Sequence, residues 1–339
     1  MLCLAISQAT PASEVIKTVA FGSCLRQDQP QPIWQAIIKA RPNLFLFIGD
    51  NIYADTDDMV VMQSKYDELA AEPGYQALRA WCPVHATWDD HDYGRNDAGA
   101  EFPARAASEQ RFLQFFQVPE DSPVRGRPGI YDAHIYGPTG QRLQIILLDT
   151  RYFRSPLKQG PVTQRCPRVH YRANDDPAAT LLGEAQWTWL EEQLRQPAEL
   201  RLLISSIQVI PDQHCFEKWA NFPRERARLF WLIRETQANG VILLSGDRHM
   251  ADLSRLDADS VGYPLYELTA SGMNTAFRGP SEPNRYRVTS SNFRRDNFGV
   301  LRLDWTDPAP IITLEVRDVE GKVGLRHRVR LTELRSFPR

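Results

Sequence analysis

Long hydrophobic runs are missing from this sequence. Its longest apolar stretches, residues 44–48, 145–148 and 241–244, fall far short of the ~20 residues that a membrane-spanning helix needs. No transmembrane helix is expected. An excess of one charge is missing too, since 40 basic side chains face 42 acidic ones. That balance offers no electrostatic argument for nucleic acid or an anionic membrane as the main partner. Internal repeats, low-complexity tracts and Pro/Gly-rich linkers are also absent, so residues 18–339 are expected to form a single domain. Residues 1–9 are apolar and end in small side chains, yet lack the basic start and the length of an export signal. Residues 1–17 are therefore expected to be a flexible tail or a signal remnant. Cysteines are odd in number, five in all, so any pairing leaves a thiol free. Cys166 and Cys215 lie in polar, loop-like surroundings and are able to pair if the protein is exported.

What the chain does have is a recurring texture. Six short apolar runs, at residues 18–21, 44–48, 84–88, 143–148, 200–207 and 241–244, each stop abruptly at a polar cluster. Their length and their content of Val, Ile, Leu and Phe read as buried strands. Helical patterns lie between them at 32–40, 60–69, 108–116, 183–194 and 224–239. In the fourth, Trp187, Leu190 and Leu194 recur at spacings of three and four, one apolar stripe with core-packing tryptophan. After Leu244 the helices disappear, and 265–269, 300–305, 311–316 and 325–331 read as antiparallel strands. The expected architecture is α/β, a sandwich with helices outside.

The polar clusters all fall at the C-terminal ends of expected strands, where open α/β sheets collect ligand-binding residues. They are Gly22-Ser23-Cys24, Gly49-Asp50-Asn51 running on to Tyr53 and Asp55, Trp88-Asp89-Asp90-His91-Asp92, Asp149-Thr150-Arg151, Ser206-Ile207-Gln208 and Gly246-Asp247-Arg248-His249. A single cluster would be an ordinary turn. Aspartates 50, 89, 90, 92, 149 and 247 on one rim would raise each other's pKa unless cations neutralise them. Arg151, Arg154 and Arg248 could do so in a plain salt-bridge network. Cys24, Tyr53, His91 and His249 at the same rim favour metal instead, because a salt-bridge network has no use for sulfur, phenol or imidazole. Hard oxygen donors with one sulfur and one nitrogen suit a transition metal beside a harder ion. Asp247 and His249, two residues apart, face one side of an extended segment. His134, His170, His214 and His327 read as structural. A second zinc site from Cys166, His170, His214 and Cys215 is conceivable, although its spacing fits no compact motif.

The order Phe21-Gly22-Ser23-Cys24, then Gly49 to Asp55, then Trp88-Asp89-Asp90-His91-Asp92-Tyr93-Gly94, then Gly246-Asp247-Arg248-His249 resembles the PhoD-like alkaline phosphatase and phosphodiesterase family. That family is a branch of the calcineurin-like metallophosphoesterases. Leu148 to Arg151, Ser205 to Gln208 and Thr269 to Gly272 are also similar. The resemblance implies a calcineurin-like β-sandwich of mixed sheets flanked by helices, in four layers (αββα). It also implies Fe(III) bound by Cys24, Asp50, Tyr53 and His249. Asp50 would bridge to a second ion, Ca(II), held further by Asp90 and Asp247, with zinc or manganese as alternatives. Where the wider superfamily carries a metal-binding histidine, this chain has Gln208. The implied reaction is hydrolysis of a small phosphoester by a metal-activated hydroxide, with His91 protonating the leaving oxygen or holding a phosphoryl oxygen. Arg154 and Arg248 are then candidate phosphate contacts, since guanidinium matches phosphate oxygens. A dedicated phosphodiesterase, a phospholipase-D-like enzyme and a metal-binding member without turnover are the alternatives. A periplasmic or secreted location fits the family, with a cytoplasmic one open.

Overall fold

The structure is a computed structural model and describes residues 14–167, 169–306 and 309–336. Most of the expected tail, and Cys3 with it, lies outside the described residues. Fourteen strands are described: β1 Thr18–Gly22, β2 Leu44–Ile48, β3 Val84–Thr87, β4 Asp132–Tyr136, β5 Leu143–Leu147, β6 Lys158–Gln159, β7 Tyr171–Arg172, β8 Leu200–Ile204, β9 Val241–Ser245, β10 Ala251–Leu256, β11 Leu265–Ala270, β12 Asn297–Asp304, β13 Ile311–Asp318 and β14 Val323–Arg330. The helices are α1 Ile33–Lys39, α2 Met59–Ala71, α3 Pro73–Trp81, α4 Asp90–Tyr93, α5 Arg105–Phe115, α6 Gly183–Leu194 and α7 Pro223–Glu235.

Two six-stranded mixed sheets form the body, ordered β14-β13-β12-β1-β2-β3 and β10-β11-β9-β8-β5-β4. β1, β2 and β3 run parallel, as do β5, β8, β9 and β11. The remaining strands pair antiparallel at the sheet margins. Parallel strands with both faces covered read as continuous apolar runs, and β1, β2, β5, β8 and β9 are buried at every residue. Successive side chains then divide between two cores. Val19, Phe21, Leu44, Leu46 and Ile48 pack toward the second sheet, in one cluster with Ile145, Leu202 and Leu243. Ala20, Phe45 and Phe47 point the other way, into a cluster with Trp34, Ile37, Tyr66 and Leu78 of α1, α2 and α3. On the outer face of the second sheet, the expected stripe Trp187, Leu190 and Leu194 of α6 packs with Leu229, Leu232 and Ile233 of α7. Helices therefore cover both outer faces, which is the αββα arrangement.

The differences from expectation are local. β11 joins β9 in parallel, so the strand-rich end is antiparallel only among β12, β13, β14 and the β10–β11 pair. α3 was not expected. Glu72 ends α2 with extended backbone, and its side chain accepts from Gly74 N to cap a new helix that opens on Pro73, a residue suited to a first helical turn. β4 and β10 escaped notice because polar residues interrupt their apolar alternation.

Candidate metal centre

Every strand of the parallel runs ends in a turn on one rim of the sandwich, and the turns bend sharply. Cys24, Asp50, Asp247 and His249 all have left-handed backbone, with φ of 57°, 49°, 63° and 51°. For non-glycine residues such conformations cost about 1–3 kcal/mol each and persist where the surroundings impose them. Gly49 precedes Asp50 at φ 113°, and a Cβ there would stand 2.6 Å from the Asp89 Cβ. Glycine is what lets the β2 and β3 turns touch. Backbone bonds lock the same turns together: Cys24 N donates to Gly49 O at 3.3 Å, Leu25 N to Asp50 O at 2.9 Å and Gly272 N to Ser23 O at 3.1 Å.

Two groups of donors result, and they share Asp50. Ligand atoms of Cys24, Asp50 and His249 lie within 4.8 Å of one another, and so do those of Asp50, Asp90 and His91. In the first group Cys24 Sγ is 3.2 Å from Asp50 Oδ2 and 3.1 Å from Ser271 Oγ. The Tyr53 hydroxyl is 3.0 Å from His249 Nε2 and donates to Asp50 Oδ2 at 3.5 Å. In the second group Asp90 Oδ2 accepts from Asp97 N at 2.7 Å, while Asp90 Oδ1 is buried without a partner. An enclosed carboxylate oxygen with no donor is costly, and a cation between Asp50 and Asp90 would satisfy it. The donors present fit a pair of metal ions.

Electrostatics point the same way. Burial pushes the Cys24 thiol up to about 11. Burial, with the thiol and Asp90 beside it, lifts Asp50 well above the usual carboxylate range. Burial likewise raises the Tyr53 phenol. Each of these three acids resists ionisation in its enclosed setting, whereas burial of Asp90 is outweighed by His91 and Arg151, which lower it. Burial lowers His249, which keeps its ring neutral and able to coordinate. For His91 burial also works downward, but the carboxylates of Asp90 and Asp50 outweigh it and raise the imidazole to about 11. His91 Nδ1 is held by both oxygens of Asp55 at 2.7 and 2.8 Å, and its ring lies against Tyr53 with centroids 4.2 Å apart and planes tilted by 31°. Nε2 is the ring nitrogen left for the site.

The rim aspartates sort into two kinds. Asp92 caps its own short helix, accepting from Asp89 N and Asn51. Asp149 accepts from Trp88 Nε1, Arg151 N, Tyr152 N and Ile130 N. Asp89 is paired to Arg151 and accepts from Ser206 Oγ at 2.6 Å. All three have structural partners. Asp247 stands 3.4 Å from Arg248 Nη1 and belongs to neither donor group. Gln208 is buried, donating to Thr269 Oγ1 at 2.9 Å, with its Oε1 unpartnered.

The arginine expectations need correction. Arg154 is fully enclosed, its Nε 2.9 Å from Glu217 and its other nitrogens on the carbonyls of Ser155 and Asp97. Each of its three nitrogens has a protein oxygen beside it, and the side chain is closed to solvent. Arg248 is bound to Glu282 and lies over the Phe216 ring at 3.9 Å. The conceivable second zinc site is also overturned, because Cys166 and Cys215 form a disulfide and have no thiolate to offer. Sequence reasoning gave no role to Asp55 or Ser271, although both lie in motifs that it singled out, and it missed Asp97 and Glu217, which reach the site only through the fold.

Comparison with known proteins agrees with the sequence resemblance. The solved structure of PhoD superposes with a TM-score of 0.69 at 18% identity, covering 94% of this chain and 72% of that one. A dimetal phosphatase from Danio rerio gives 0.55 at 13% identity, over 94% of this chain and 100% of its own. GAP50, the anchor in the inner membrane complex of Plasmodium, gives 0.58 at 11% identity over 94% and 89%. These likenesses show the calcineurin-like fold. Alkaline phosphatase D of Bacillus subtilis (strain 168) is 23% identical over 280 residues, 71% of this chain and 47% of the relative. The chain thus spans about half the length of the curated relative it matches. The model of the PhoD-like phosphatase family matches residues 19–298, and the chain belongs to that family.

Proposed function

We propose that this protein is a metal-dependent phosphoester hydrolase, and that Asp50 is the carboxylate shared by its two ions. The observation carrying this reading is the pair of donor groups that meet at Asp50. Cys24, Asp50, Tyr53 and His249 would hold one ion, for which Fe(III) suits the thiol and phenol. Asp90, with Asp247 nearby, would help hold a harder ion such as Ca(II), with zinc or manganese as alternatives. Bound there, such ions supply an acidified water and neutralise phosphoryl charge. The chain's own residues do the rest. His91, fixed through Nδ1 by Asp55, presents Nε2 as the proton donor to the leaving oxygen. Metal held by Asp50 and Asp90 would offset the pull that these carboxylates exert on His91 and so ease release of its proton. Two donor groups that meet at Asp50, with an oriented imidazole beside them, favour turnover over metal binding alone.

The Cys166–Cys215 disulfide supports a periplasmic or secreted location, since such bonds persist in oxidising compartments. No helix among the described residues is long and apolar enough to cross a membrane. Elemental analysis of the native protein, with phosphatase assays after chelation and resupply, tests the function. Activity lost on chelation and restored by iron with calcium is the expected result. Full activity in the stripped protein would end the proposal.

A further inference from the structure

Two segments beside the metal centre are tied together by a disulfide and by hydrogen bonds. The Cys166–Cys215 disulfide joins them with Cα atoms 5.6 Å apart. Tyr171 N donates to Cys215 O at 2.9 Å, and Asn221 Nδ2 donates to Tyr171 O at 3.0 Å. One segment is the small β6–β7 hairpin with its loop, and the other is the stretch from Ser205 to Asn221 that follows β8. From this knot two arms reach the carboxylates at the end of β3.

The first arm is short. The Tyr171 hydroxyl donates to Asp97 Oδ2 at 2.7 Å, and Asp97 N donates to Asp90 Oδ2 at 2.7 Å. Asp97 holds left-handed backbone at φ 55°, so an outside contact helps keep its N–H aimed at Asp90. The second arm starts two residues beyond Cys215. Glu217 places Oε2 2.6 Å from Arg151 Nη1 and Oε1 2.9 Å from Arg154 Nε. Arg151 Nε then donates to Asp89 Oδ1 at 2.6 Å, and Arg154 Nη2 donates to Asp97 O. The side chains of Arg151, Arg154, Asp89 and Glu217 are each no more than 1% exposed. Two positive and two negative groups balance in an enclosed place. Losing Glu217 would leave a buried positive charge uncompensated beside the cation sites.

We infer that this disulfide-joined pair of segments is a clamp that positions Asp90 for the second metal ion, with Tyr171 and Glu217 as its positioning residues. It follows that occupancy of the second ion depends on the Cys166–Cys215 bond, so a reducing environment would leave the protein short of one metal. The inference rests on Asp90 as a cation ligand. Both arms hold Asp90 on its Oδ2 side or through its neighbours, and they leave Oδ1 free to face Asp50 and His91. The first ion's donors come from the turns after β1, β2 and β9 and touch neither arm.

The test uses the full chain with its metals. Tyr171→Phe removes a single hydroxyl, Glu217→Gln removes one charge, and the double variant Cys166→Ser with Cys215→Ser removes the covalent tie. Competition against a graded chelator reads the affinity of each ion, and thermal unfolding confirms that each variant is folded. The expected result is one ion weakened by about 10–100-fold, the usual effect of losing an outer partner of a ligand, and the other unchanged. Two ions held at wild-type affinity in folded Tyr171→Phe and in the double serine variant would overturn the clamp. A wild-type protein that binds one ion would overturn it together with its premise. Failure of the hydrolase reading has a different signature, namely two ions bound without turnover.

Discussion

At the scale of single residues, the site divides between groups that hold cations and one that handles a proton. His91 is near Asp50 and Asp90, yet its Nδ1 is engaged by Asp55 and its ring rests on Tyr53. Those contacts fix the ring without metal. His91→Ala should therefore lower turnover by roughly 10²–10⁴-fold, the range for a general acid–base group, with metal content nearly preserved. Asp50→Ala should lose metal and activity together, because both donor groups need it. The His91 loss should be larger for substrates with poor leaving groups, which depend most on protonation. An empty second site in His91→Ala would make the imidazole a ligand and end this division of labour.

At the scale of elements, ordinary strands deliver unusual turns. β1, β2 and β9 are buried runs whose packing leaves little choice about where they end. The ligand turns that follow take left-handed backbone held by neighbouring turns. Gly49 is the tightest point, since a side chain there would press on Asp89 and on Ser206, 3.0 Å away. Gly49→Ala combines that clash with a strained φ and should cost about 1–3 kcal/mol, several degrees in melting temperature. Because Asp50 is the next residue, metal affinity should fall as well. Calorimetry beside a metal titration checks both; a variant with wild-type melting and binding would show that the turn tolerates a Cβ.

At the scale of the whole molecule, uncompensated charge in the centre links stability to pH and metal. In the metal-free protein His91 titrates at about 11, far above its ordinary value of 6.5, because Asp90 and Asp50 outweigh burial. A histidine whose folded pKa is raised contributes stability that is complete below about 6.5 and is lost as pH climbs toward the folded value. Asp50, raised mainly by burial, has the same sign, binding a proton in the folded state that the unfolded chain has released. The chelated protein should therefore lose melting temperature as pH rises from about 6.5 to 10. The loaded protein should lose less, since cations replace those protons. A gap between loaded and chelated protein that stays constant across this range would refute the linkage.

Much of this was legible in the chain before folding. The apolar runs that end at Phe21, Ile48, Trp88, Leu148, Ile207 and Leu244 marked the central strands to within a few residues, because a strand buried on both faces has few polar positions to blur it. The α6 stripe was equally plain. The clusters after those strands singled out Cys24, Asp50, Tyr53, Asp90, His91, Asp247 and His249 as candidates, because such a mixture of donor types at strand ends can be recognised without coordinates. Which aspartates serve structure was not legible. Asp89, Asp92 and Asp149 differ from Asp50 and Asp90 only in what lies across from them, and those partners are as distant in sequence as Arg151, Asn51 and Ile130. Nor could local sequence tell an arginine that meets substrate from one sealed in the core. Arg154 depends on Glu217, 63 positions further along by their numbers, and on a disulfide that brings that segment home. Composition and periodicity determine what each short segment prefers, whereas a charge's role depends on the company that tertiary packing brings to it.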